Sequence, residues 1–78
     1  MCECYVRFTS ADDVKNFVSI ATKQYFPIHV ERGNLKTSAT AIMSLFSMGL
    51  NCTLRVILGD AGEGADAFLS QVQPYLVA

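Results

Sequence analysis

Between positions 2 and 8 apolar and polar residues alternate. Cys2, Cys4, Val6 and Phe8 fall on one side, and Glu3, Tyr5 and Arg7 on the other. A period of two marks a half-buried strand, because successive side chains leave opposite faces. Ser10 stands where a helix N-cap belongs, and Asp13, three residues on, is a weaker form of the capping-box glutamate. Val14, Phe17, Val18 and Ala21 then recur at helical spacing and predict an amphipathic helix ending near Gln24.

Phe26 to Glu31 reads as a second strand, with Ile28 and Val30 inward and His29 and Glu31 outward. Arg32-Gly33-Asn34 supplies hairpin-turn residues, and Leu35 to Ala39 is the returning strand. A short helix is predicted from Ala41 to Met48, stopped by Gly49, which tolerates the left-handed conformation at a helix end. Ala41, Leu45 and Met48 form its inward stripe, which leaves Ile42, Met43 and Phe46 to one side. Cys52, Leu54, Val56 and Leu58 alternate with Thr53, Arg55 and Ile57 in a fourth strand. Gly59 to Gly64 is a loop, and Ala65, Phe68, Leu69 and Val72 mark a last helix that Pro74 should end or kink.

The element order is β-α-β-β-α-β-α, which predicts an α+β open-faced sandwich with helices on one face of a four-stranded antiparallel sheet. Residues 1–78 form one domain. Glu3, Tyr5, Arg7, His29, Glu31, Lys36, Arg55 and Ile57 should populate the uncovered sheet face, most of them able to meet water.

Composition narrows the function. Hydrophobic residues are 51% and charged residues only 17%, so some apolar side chains are expected at the surface. The net charge is −1 with Lys and Arg scattered, which argues against nucleic acid as a partner. No segment has the length of a membrane span, and Met1-Cys2-Glu3-Cys4 does not begin a signal peptide. A soluble, cytoplasmic protein is expected. Three cysteines fit a reducing setting. Cys2 and Cys4 could bind a soft metal only with Cys52 and His29 as further ligands, so the three are read as small buried hydrophobes, reduced and metal-free. No cofactor is called for. With one histidine and no partners spaced for it, no Ser/His/Asp set can be built, and the chain is expected not to be an enzyme. Glu31 and Arg32 look like solvated charges. The two carboxylates of the loop Gly59-Asp60-Ala61-Gly62-Glu63-Gly64 argue against anion binding there.

The segment Ile42-Met43-Ser44-Leu45-Phe46-Ser47-Met48-Gly49-Leu50 resembles the second-helix signature of the histidine-containing phosphocarrier (HPr) family of the bacterial sugar phosphotransferase system. In that family the signature runs Ile-Met-Gly-Val-Met-Ser-Leu-Gly-Ile. The likeness covers nearly the whole chain, and it implies the sheet order 1-4-2-3. The family's phospho-acceptor lies in Gly-(Leu/Ile)-His-x-Arg-Pro-Ala at the start of the first helix. On a gapless alignment Ser10 stands in place of the histidine, Asp12 of the arginine and Asp13 of the proline. Two carboxylates there repel a phosphate, and Ser10 lacks a base to activate it. The family's regulatory serine is matched by Ala41, so both devices are expected to be absent. In the family the positions of Ile42, Met43 and Phe46 form an apolar patch that docks partner proteins.

The resulting expectation is a catalytically silent, HPr-like protein-binding or regulatory module, linked to the phosphotransferase system and bound to a protein partner through its second helix. Its oligomeric state is open. The alternative is a small-molecule-binding regulatory domain of ferredoxin-like or ACT type, which shares the core element order but has sheet order 4-1-3-2. A working phosphocarrier with a non-standard acceptor, for which His29 is the candidate, ranks last.

Overall fold

The computed structural model describes residues 2–77. Strand β1 (Cys2–Arg7) leads into helix α1 (Ala11–Thr22), then the hairpin β2 (Ile28–Arg32) and β3 (Leu35–Ser38). Helix α2 (Ile42–Met48), strand β4 (Thr53–Leu58) and helix α3 (Gly64–Gln71) follow, with a 3₁₀ turn at Gln73–Tyr75. The strands form an antiparallel sheet of order β1-β4-β2-β3. This is the HPr-like open-faced sandwich. The ferredoxin-like alternative is overturned, because β4 lies between β1 and β2 and β1 has no second strand beside it.

Cys4 pairs with Val56 and Val56 with Val30, so one continuous apolar row crosses the three strands β1, β4 and β2. Val6, Val30, Leu54, Val56 and Leu58 are fully buried beneath the helices. Val14 and Phe17 of α1, Leu45 of α2 and Phe68 of α3 meet them from above. The rings pack on one another through this layer, Phe8 tilted on Phe17 at 5.1 Å, then Phe17 to Phe68 at 6.0 Å and Phe68 to Phe26 at 6.2 Å edge to face.

Several boundaries differ from the sequence pattern, each for a local reason. Lys23 N–H donates to Ile20 and Gln24 N–H to Ala21, so the last turn of α1 tightens and the helix ends at Thr22. Phe26 is buried but lies outside β2. Pro27 has no N–H for a ladder, and its carbonyl accepts from Gly59 N–H at 2.8 Å. β4 begins at Thr53 because Asn51 has φ 60° and Cys52 turns its thiol back to the Met48 and Gly49 carbonyls. Gly49 has φ 95°, a region that suits glycine. Ala41 is only half-buried and caps α2 instead of joining its buried stripe.

None of the three cysteines is fully buried, contrary to their reading as buried hydrophobes: Cys52 is half-buried in the turn before β4, and on β1 Cys2 is exposed and Cys4 half-buried. On β1 the cause is topological. β1 is an edge strand, and the core reaches its Val6 end but not its start.

Both sheet edges are blunted. Leu76 bridges to Val6 and Val77 N–H donates to the Tyr5 carbonyl, so the C-terminal segment covers the outer side of β1. On β3, Ala39 N–H donates to Ile28, so by alternation Lys36 and Ser38 point their backbone groups outward. The Ser38 carbonyl is already taken by Ala41 N–H at 3.1 Å. Little of that edge is left to pair with another strand.

Candidate functional site

The start of α1 is where the sequence placed the acceptor position. Ser10 has extended backbone geometry and its Oγ accepts from Asp13 N–H at 3.2 Å. The Asp13 carboxylate turns back one residue further than a capping box requires. It accepts from the Thr9 N–H at 2.9 Å and the Thr9 hydroxyl at 3.0 Å. Asp12 is exposed in the same turn, and no Lys, Arg or His lies between Phe8 and Val14. The positive end of the helix dipole therefore already faces two carboxylates, and one cap donor is used by Ser10.

The bonds from the Thr9 N–H, then from its hydroxyl, hold the Asp13 carboxyl below the usual carboxylate range. A depressed folded pKa means that the stabilisation is complete above the ordinary Asp value of ~3.9 and fades as pH falls through the folded pKa. The stability difference between the wild type and Asp13→Ala is thus expected to be present at neutral pH and to vanish in acid. Urea titrations of both proteins across that range check this, and a difference that grows towards low pH refutes it. Ser10→Ala removes the cap itself and should cost about 1 kcal/mol.

His29 is half-buried and alternates with buried Ile28 and Val30, which puts its side chain on the uncovered face of the sheet. It stands opposite Ser38 and Ile57. The whole sheet thickness separates it from Ser10. A row of alternating charge crosses this face. Arg55 Nε donates to Glu3 at 2.8 Å, Arg55 Nη1 meets Glu31 at 3.3 Å and Lys36 lies 3.9 Å from Glu31. These pairs are exposed and add little stability, but they neutralise one another. Among the described residues, no group of three or more His, Cys, Asp and Glu side chains is gathered closely enough to hold a metal ion.

On α2 the structure divides the predicted patch. Met43 is 74% exposed, while Ile42 and Phe46 are half-buried and pack against the core. Leu45 and Met48 point down onto the sheet, and Ser44 and Ser47 face outward. Ala41, at the family's regulatory position, makes no side-chain cap hydrogen bond.

Arg32 was read as a solvated charge, but its guanidinium donates to the Met48 carbonyl at the end of α2. Cys52 Sγ shares that carbonyl at 3.6 Å. Together they satisfy carbonyls that the helix ladder leaves free. Nothing in the local pattern around Arg32 signals this, because the contact joins the hairpin to a helix sixteen residues later.

Four antiparallel strands in the order β1-β4-β2-β3 under three helices define the HPr-like class of fold. The chain is similar to HPr-C-His from Thermoanaerobacter tengcongensis, known from its crystal structure. The two share 26% sequence identity with a TM-score of 0.73, over 94% of this chain and 92% of the other. No protein-family model and no curated protein matches the chain.

Proposed function

We propose that this chain is a protein-binding or regulatory module on the phosphocarrier scaffold, which docks through α2, catalyses no reaction of its own and carries no phosphoryl group at Ser10. Its setting on this reading is the bacterial cytoplasm, beside the sugar phosphotransferase system. The observation that carries the proposal is the self-capped start of α1. Asp13 and Ser10 satisfy each other's segment there, and Asp12 adds a second negative charge. An incoming phosphate meets like charge where a phosphocarrier needs a cation and open N–H groups. The serine has no histidine or lysine beside it to take its proton, only carboxylates, which are weak bases, and that of Asp13 is held by Thr9.

The test is incubation with phosphoenolpyruvate and the phosphotransferase Enzyme I, followed by intact mass measurement. The expected spectrum shows the unmodified chain alone. A phosphate-sized increase that disappears in His29→Ala would put an acceptor on the sheet face and make the chain a working phosphocarrier.

A further inference from the structure

Between Glu31 and Asp60 the chain has no carboxylate but three cations, Arg32, Lys36 and Arg55. Arg55 is spent on Glu3 and Glu31 across the uncovered sheet face. The other two flank a groove of about 240 Å³ between β3 and α2. Lys36 lines it together with Thr37, Ser44 and Ser47, so most of the wall is polar, and Leu35 and Met48 supply the apolar part. Arg32 stands at the end of α2. Its guanidinium holds the Met48 carbonyl and its cross-strand partner is Leu35, so two of the lining residues are its immediate neighbours.

The donors around the groove are not used up. A guanidinium has five N–H groups, and among the described residues Arg32 bonds Met48 and pairs with no carboxylate. Lys36 lies 3.9 Å from Glu31, beyond hydrogen-bond length, and Glu31 keeps Arg55 at 3.3 Å if that ammonium turns away. Ser44 is exposed and Thr37 half-buried, and both hydroxyls can donate to an oxygen in the groove. Ser47 gives its own proton to the Met43 carbonyl at 3.1 Å, which leaves its oxygen to accept.

We propose that the α2–β3 groove binds a small oxyacid, a molecule with one carboxylate or phosphate group on a short, hydroxyl-bearing carbon chain. The guanidinium fork matches the paired oxygens of either group, and the Lys36 ammonium adds a second positive charge. The hydroxyls of the wall can exchange hydrogen bonds with those of the ligand, while Leu35 and Met48 cover its carbon chain. The groove is smaller than the ~300–1,000 Å³ of pockets for drug-sized ligands, which limits the occupant to a few carbons. A neutral occupant would leave both cations without a counter-charge. The same oxyanion is turned away at the start of α1, where Asp12 and Asp13 stand.

This inference goes beyond the docking role proposed above. Binding in the groove is non-covalent and leaves the mass of the chain unchanged, so it stands or falls apart from the phosphoryl test.

Backbone-amide NMR of the isotope-labelled chain tests it, with inorganic phosphate, acetate and acetamide titrated in turn at fixed pH and ionic strength. Shifts confined to Leu35 to Thr37 and Ser44 to Gly49 should saturate with phosphate or acetate. They should be absent with acetamide, which has the shape of acetate without its charge. Saturation by either anion supports the site, and the tighter of the two identifies the acid group of the ligand. Lys36→Gln should weaken binding about fivefold, the worth of one partly exposed ion pair, with the unfolding midpoint unchanged. Arg32→Gln should weaken it further and also lower the midpoint, because it releases the Met48 carbonyl. Shifts that never saturate, equal shifts with acetamide, or an affinity that Lys36→Gln leaves unchanged would each overturn the proposal.

Discussion

Phe68→Ala is expected to cost about 3–5 kcal/mol and to leave the domain at the edge of unfolding. Phe68 is fully buried on α3, and its ring is the one that touches both Phe17 of α1 and Phe26 in the segment before β2. Alanine there loses the transfer energy of the ring and leaves a cavity that three separate segments would have to close. Those segments are fixed by the sheet beneath them, so little collapse is available. A chain of 78 residues holds roughly 4–12 kcal/mol in all, so this change removes a large share of it. Urea denaturation should show a much lower midpoint with an unchanged slope. A midpoint shift worth less than about 1 kcal/mol would mean that the aromatic chain does not tie α3 to the core.

Phe46→Ser should lower stability by on the order of 2 kcal/mol, whereas Met43→Ser should change it by less than about 0.5 kcal/mol. The two residues lie on one helix and looked alike as a patch. Phe46 packs against the core, and a serine there gives up that contact and leaves a hydroxyl at an apolar margin. Met43 projects into water and has no packing to lose. The pair therefore separates two uses of an apolar side chain. If binding through α2 depends on Met43, its loss is seen in association and not in the unfolding midpoint. Equal destabilisation by the two substitutions would show that Met43 is held by the fold, and would remove it as a contact residue.

What could be read from the sequence was whatever depends on near neighbours. The alternation of Cys2 to Phe8 and of Cys52 to Leu58 identified strands, because a strand's side chains divide by parity alone. The stripe Val14, Phe17, Val18, Ala21 identified α1, and Gly33 and Gly49 marked the turn and the helix stop, both with positive φ. Ser10 was legible as an N-cap because the cap, its acceptor and its donor lie within four residues. The acidic character of that turn, on which the proposed function rests, was equally local.

Tertiary structure decided what depends on residues far apart in the chain. β2 begins after Phe26 and Pro27 because distant Gly59 supplies the partner of the Pro27 carbonyl, which a periodicity cannot display. Arg32 looked like a solvated charge until the hairpin brought it to the Met48 carbonyl. Ile42, Met43 and Phe46 share an apolar character that the sequence registers. Which of them is buried depends on what packs beside α2, and only that separates the exposed Met43 from its half-buried companions. The residues alone determined an α+β chain with a closed, acidic helix start. Packing determined which surface remained open, because burial belongs to pairs of elements and neither partner carries it by itself.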